Sequence, residues 1–352
     1  MEAWAVTKNR EPLEKIQIED RPPLGTEVVL AVSHCGVCHS DLHFWEGEYN
    51  LGGGRKMKLA ERGVTLPRAI GHEVVGTVVA VGPEAEGVRP GDRRIVYPWI
   101  GCGTCPACLA EEDNLCEHQA SIGVVRHGGF GEKVTVPHPR YLVDPGEVDP
   151  ALAATFACSG ITVYAAIAKL MPLSPDTPIA LVGAGGLGLQ AIQMLKALGH
   201  RAIVSVDISA EKRAAAEAAG ATATVDGAAA DLTAVLIAAA GGRLYGAIDF
   251  VNSERTVAPV LEALAKGGRL VLVGVAGGEL PLSLATLIFR PRAIQGSNTG
   301  SLADLRAVVK LAQEGRLKPL PLTLMPKDSA NEAMTLLHDG KVTGRIVLAA
   351  KA

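Results

Sequence analysis

The run Gly183-Ala184-Gly185-Gly186-Leu187-Gly188 restricts the fold of this chain more than any other feature. An apolar, strand-like stretch, Ile179–Val182, precedes it, and a stretch with helical spacing, Gly186–Leu198, follows. Leu187, Ala191, Met194, Leu195 and Leu198 recur on one helical face and are expected to pack on a sheet. A second strand-like run, Ala202–Val206, leads to Asp207, 19 residues past Gly188. Each part of this unit has a physical task. Gly183 permits a tight turn, Gly185 lets the backbone approach a pyrophosphate, and Gly188 allows close packing of helix on sheet. Free N–H groups at the helix start, around Gly186 and Leu187, attract phosphate oxygens. Asp207 would accept hydrogen bonds from the adenosine ribose hydroxyls and repel a 2′-phosphate, which favours NAD over NADP. Lys212 is placed to approach the same ribose, although a solvated helix lysine reads nearly as well.

The same rhythm continues along the second half of the chain. Ala247–Val251 and Leu270–Val275 are further strand candidates, and Ala210–Ala219 is a further helix. Buried runs alternating with helices read as a parallel sheet with right-handed crossovers. Residues before about 157 differ: short β-like runs (Glu27–Val32, Val74–Val81, Val134–Val136) are punctuated by Gly82-Pro83 and Arg89-Pro90-Gly91-Asp92. Gly52–Gly54 with Arg55–Lys58 reads as a surface loop. The last 55 or so residues, with Pro319, Pro321 and Pro326, lose the alternating rhythm. The expected domains are therefore 1–159 together with 297–352, and 160–296.

Composition narrows the function. Basic and acidic side chains number 34 and 37, a formal net charge of −3, which argues against a nucleic-acid or membrane-surface binder. Aromatics are 4%, a poor basis for base stacking. No secretory pattern opens the chain and no run of about 18 apolar residues is evident, so a cytoplasmic protein with no membrane partner is expected. In that reducing compartment, clustered cysteines point to metal rather than disulfides.

Four of the seven cysteines are Cys102, Cys105, Cys108 and Cys116, spaced C-x2-C-x2-C-x7-C. Four thiolates close a tetrahedral Zn²⁺ with no open position, a structural site. Gly101, Gly103 and Pro106 supply turns around it. An iron–sulfur cluster or reactive thiols are the alternatives. Cys38, His72 and Cys158 lie far apart in sequence, and spacing alone does not join them. Two cysteines and one histidine are nevertheless a known catalytic zinc set with one position open.

With these motifs in order, the chain resembles a zinc-dependent alcohol dehydrogenase of the medium-chain dehydrogenase/reductase superfamily. The motifs are Gly36–Asp41 with Cys38, Gly71-His72-Glu73, the Cys102–Cys116 lobe, Cys158, Gly183–Gly188 and Gly344-Arg345. Glu61–Glu73, Cys158–Tyr164 and Asn252-Ser253-Glu254 are most similar to the archaeal and bacterial tetrameric members. The resemblance implies an α/β fold: a GroES-like β-rich catalytic domain plus a doubly wound Rossmann domain. It implies NAD and two zinc ions per chain as cofactors. Cys38, His72 and Cys158 would ligate the catalytic zinc, with Asp41 orienting His72 and Glu73 behind the metal, able to replace its water ligand transiently. Ser40 would take the substrate proton and His43 pass it to solvent. His39 and Arg345 match pyrophosphate contacts, Val273 and Val275 match further cofactor contacts, and Trp99 matches a substrate-pocket residue. Cys35 is left as a core thiol. The polyol branch usually has glutamate where Cys158 stands, so Cys158 favours alcohols. A zinc-dependent polyol or sugar dehydrogenase, a zinc-free quinone or enone reductase and a non-catalytic NAD-binding sensor are the other readings. The implied partner is a small alcohol or carbonyl substrate, and the implied assembly a homotetramer or homodimer, joined near Leu270–Val275.

Overall fold

Val28–Val37 is rich in β-branched residues and almost wholly buried, as a central strand should be. In a computed structural model, which describes residues 1–350, it pairs antiparallel with Glu73–Val81 along one edge. Its other edge is shared by Lys133–Val136 and Arg345–Ala349. Arg93–Val96, Leu142–Val143 and Leu322–Pro326 complete a seven-stranded sheet. Chain contacts define one compact unit of Met1–Glu48, Lys58–Ile161 and the residues from Gly300 onward. The 297–352 tail expected in the catalytic domain has its final residues, 351–352, outside the described part.

The second unit holds Tyr49–Met57 and Thr162–Thr299. Its six strands are all parallel, in the order Ala223–Asp226, Ile203–Asp207, Ile179–Val182, Leu244–Asp249, Leu264–Leu272, Ala293–Gly296. The order reverses direction between Ile179–Val182 and Leu244–Asp249, the topological switch point of a doubly wound sheet. Helix Gly186–Ala197 buries Ala191, Met194 and Leu195 as expected. Leu198, expected on that buried face, caps the helix and is 37% exposed, and Leu187 is only half-buried. Both sit at ends, where the helix leaves the sheet. Gly53 and Gly54 form a turn, as a loop there requires, but the basic neighbours do not: Glu48–Gly52 and Arg55–Lys58 pair across that turn as a two-stranded hairpin. Leu270–Val275, expected at a subunit joint, overlaps Leu264–Leu272, which has a strand on either side; the two edges of the sheet are Ala223–Asp226 and Ala293–Gly296.

One helix, Pro150–Ala168, is long and apolar enough to cross a membrane by length and composition, contrary to the sequence expectation. It is 89% buried inside the fold, so protein rather than lipid surrounds it. Asp149 caps it, accepting from the N–H groups of Ala151 and Leu152 at 3.0 Å, and Pro150 opens its first turn.

The glycine turn tolerates no side chain at Gly188, its last glycine. Gly183 has φ +93°, and a Cβ on Gly188 would lie 1.9 Å from the Gly183 carbonyl oxygen. Because that obstacle is backbone, relief requires the helix to move. Gly188→Ala should therefore destabilise the protein by about 3 kcal/mol, the upper range for overpacking, read as a lower denaturant midpoint. A change under about 0.5 kcal/mol, the range of neutral surface substitutions, would contradict the close packing.

Candidate metal centres and dinucleotide turn

Cys38 is the residue before helix His39–Glu46, and its own N–H donates to Asp41 Oδ2 at 2.9 Å. Asp41 Oδ1 accepts from the Gly71 N–H at 3.1 Å and faces His72 Nδ1 at 3.2 Å. Asp41 and His72 are both fully buried. With Nδ1 held as the donor, Nε2 keeps its lone pair, and it is buried with no hydrogen-bond partner. Phe44 and Trp99 flank the imidazole, with ring centroids at 6.0 and 5.5 Å.

Cys158 reaches the same place from a π-helical turn, Phe156–Gly160, within the long buried helix. The sulfurs of Cys38 and Cys158 are 4.0 Å apart, and the ligand atoms of Cys38, His72 and Cys158 all lie within 4.8 Å of one another. A tetrahedral ion about 2.3 Å from each sulfur would separate them by roughly 3.8 Å. The orphaned Nε2 and this spacing fit a zinc ion. Hydrogen bonding from Cys158 lowers the Cys38 pKa well below the usual thiol value, while the same bond and burial raise Cys158. Burial opposes charge on His72, but Asp41 and Cys38 outweigh it and raise its pKa.

Glu73 is fully buried behind this set. Its Oε1 accepts from the Ser159 N–H at 3.0 Å, and its Oε2 is bonded by Arg345. Burial raises the Glu73 pKa against the pull of Arg345. A Cβ on Gly36 would fall 1.9 Å from Glu73 Oε2, so a glycine there makes room for the carboxylate. The Arg345 guanidinium, matched in sequence to a pyrophosphate contact, is thus on Glu73 in this structure. Neither the Ser159 N–H nor Gly36 stands out for this role in the sequence. Their only signal is that each adjoins a metal-site motif.

Ser40 is half-buried, with its Oγ 3.8 Å from the Cys38 sulfur. His43 is one helical turn on, half-buried, with Nδ1 3.2 Å from Glu46. His39 is exposed at the helix start.

The second cluster is local. Cys102, Cys105, Cys108 and Cys116 bring four sulfurs within 4.8 Å of one another. Gly103 supplies a turn at φ +79°, and Cys105 precedes the short helix Pro106–Leu109. Backbone N–H groups of Cys102 and His118 point at the Cys116 sulfur, each at 3.3 Å. The Thr104 hydroxyl lowers Cys102 to about 5, whereas burial pushes Cys108 up to about 12. Four sulfurs held this close, with Cys108 and Cys116 buried, suit a bound cation, and Leu109 and Leu115 in this lobe are exposed rather than packed.

In the parallel sheet, Asp207 ends its strand and holds the glycine turn. Ala184 N–H donates to Oδ2 at 2.8 Å and Ser209 N–H to Oδ1 at 2.9 Å. Lys212 lies in the first turn of the next helix, its N–H on Ser209 Oγ. Val273 follows the Leu264–Leu272 strand, and Val275 is 47% exposed.

The chain is similar to known proteins along its length. Residues 25–145 match the alcohol dehydrogenase GroES-like domain, and residues 186–314 match the zinc-binding dehydrogenase family. An NAD-dependent alcohol dehydrogenase of Sulfurisphaera tokodaii is 34% identical over 99% of both chains. The crystal structure of the Aeropyrum pernix alcohol dehydrogenase superposes with a TM-score of 0.88 at 31% identity, covering 99% of this chain and 100% of that one. That of the Sulfolobus solfataricus D-arabinose dehydrogenase gives 0.83 at 31% identity, covering 99% and 98%. Full-length likeness at this identity, on a chain that assembles both cysteine clusters, places it in the family: it belongs to the zinc-dependent alcohol dehydrogenases of the medium-chain dehydrogenase/reductase superfamily.

Proposed function

We propose that this chain interconverts primary or secondary alcohols with aldehydes or ketones, using NAD and zinc. The observation that carries the reading is the buried Cys38–His72–Cys158 set, with an unpartnered His72 Nε2 and the Ser40 hydroxyl beside it. When bound, zinc supplies a Lewis acid for the substrate oxygen and NAD supplies the hydride acceptor. Cys38, His72 and Cys158 hold the ion, and Asp41 keeps the His72 proton on Nδ1. Ser40 Oγ accepts the substrate hydroxyl proton and hands its own towards His43, which releases it to water. Glu73, anchored by Ser159 and Arg345, adds negative charge behind the ligands. The glycine turn and Asp207 seat the dinucleotide, with His39, Lys212, Val273, Val275 and Arg345 as further cofactor contacts. Cys102, Cys105, Cys108 and Cys116 hold the second zinc, which fixes their lobe.

A polyol or sugar substrate is the second reading. The D-arabinose dehydrogenase likeness supports it, and so does Trp99: its indole N–H is buried without a partner, close to His72, and could serve a second substrate oxygen. A cytoplasmic site suits the seven free cysteines. A homotetramer, or failing that a homodimer, suits the open Ala293–Gly296 edge and the exposed Leu284, Ile288 and Phe289 nearby in sequence.

The deciding experiment is NADH formation from a panel of primary, secondary, cyclic and aromatic alcohols and polyols. Simple alcohols should be oxidised best; a panel led by polyols would favour the second reading, and a silent panel would remove both. Metal analysis should find two zinc ions per chain. Cys158→Ser and Cys108→Ser should each lower that to one, but only Cys108→Ser should lower the Tm markedly; equal Tm losses would mean that the two sites share one structural job. Wild type should also prefer NAD to NADP, and Asp207→Ala should narrow the preference by roughly tenfold or more, the loss of one charge repulsion. Equal use of the two cofactors by wild type would remove Asp207 as the selector.

A further inference from the structure

Asp249 ends the Leu244–Asp249 strand, on the far side of the switch point from the glycine turn. It is fully buried, and no metal or proton-relay role involves it. Its Oδ1 accepts two backbone N–H groups, from Val251 at 2.8 Å and Asn252 at 2.7 Å. Its backbone oxygen accepts from Val273 at 2.9 Å and Gly274 at 3.1 Å. One residue therefore gathers the ends of two neighbouring strands. Asn252, at φ +59°, completes the knot by donating its side-chain N–H to the Gly274 oxygen at 2.8 Å.

The knot bears on the glycine turn. Phe250 N–H donates to the Val182 oxygen at 2.9 Å. A Cβ on Gly183 would lie 3.0 Å from Val251 Cγ2, so the Val251 side chain lies against the first glycine. In doubly wound sheets the ligand sits outside the carboxyl ends of the strands at the switch point. By that rule the crevice would open beside Gly183 and Val251, which lie against each other.

We infer that Asp249 is a positioning residue for the dinucleotide: its Oδ1 fixes the Val251–Asn252 turn beside that crevice. This rests on the NAD reading above. Only Oδ1 is used, since Oδ2 is buried without a partner. Burial pushes the carboxyl pKa up; asparagine keeps the Oδ1 acceptor for both N–H groups and should serve nearly as well.

Calorimetric titration of NAD into the zinc-loaded full chain tests this. Asp249→Ala should weaken NAD binding by roughly tenfold or more, the loss of two hydrogen bonds. Its kcat at saturating NAD should stay within about threefold, because the turn acts on binding. Asp249→Asn should restore affinity to within about threefold of wild type. A lower Tm with unchanged NAD affinity in Asp249→Ala would overturn the inference, leaving Asp249 a fold residue. Asp249→Asn as weak as Asp249→Ala would overturn it too. If Asp249→Ala does not fold, Asn252→Gly keeps the positive φ and removes the tie to Gly274; it must weaken NAD by about threefold or more, and unchanged affinity counts against the inference. Wild type binding neither NAD nor NADP would sink the cofactor reading and this inference together. With normal wild-type binding, a failure in the variants counts against the role of Asp249 alone.

Discussion

The geometry of the catalytic site depends on one buried carboxylate. Asp41 takes backbone N–H groups from Cys38 and Gly71 and the ring N–H of His72, so a carboxylate wholly removed from water meets three donors. Unpaired, such a group would cost several kcal/mol. Satisfied, it pins the start of helix His39–Glu46 to the Gly71-His72 segment. The Cys38 sulfur and His72 Nε2 then cannot move independently. The helix that carries Ser40 and His43 is fixed by the same contact.

Cys158 is placed by a different device. In the π turn Phe156–Gly160 the regular ladder is interrupted, and the Ser159 N–H is spent on Glu73 rather than on helix alone. Ser159 Oγ still ties back to the Thr155 oxygen at 2.7 Å, so the interruption is braced. Glu73 continues to Arg345 on the last strand of the same sheet. The bond to Cys38 together with burial holds Cys158, and burial holds Glu73, towards the neutral form here, so the full set of ionised ligands calls for a cation beside them, a charge that a bound divalent ion would supply.

What could be read from the sequence follows the range of the interactions. Ile179–Val182, the glycine turn and the four-cysteine lobe are local patterns, and each occurs where the sequence puts it. Cys38, His72 and Cys158 are joined only by the folded sheet, so their grouping needed a family resemblance rather than spacing. The Glu73–Arg345 pair bridges 272 positions and leaves no local trace. Helix Pro150–Ala168 is masked in the sequence because Thr155, Ser159 and Thr162 interrupt its apolar run; in the fold all three are buried, and Thr155 and Ser159 bond to backbone oxygens within the helix. Asp249 is hidden for a related reason: an acid at the end of an apolar strand reads as a turn residue, and only the register of neighbouring strands shows what it holds.

Asp207 shows how selectivity and architecture become coupled. A carboxylate offers about four lone-pair sites. Two are taken by the Ala184 and Ser209 N–H groups, which shape the glycine turn and the next helix start. On the proposed reading, the remaining sites face the ribose hydroxyls. The same group therefore sets the turn that admits the pyrophosphate and the charge that repels a 2′-phosphate. Removing the charge also frees the turn, so a gain in NADP use should carry a loss in overall dinucleotide affinity unless another acceptor replaces the bond to Ala184. Asparagine keeps one acceptor and loses the charge, which makes it the substitution that separates repulsion from turn order.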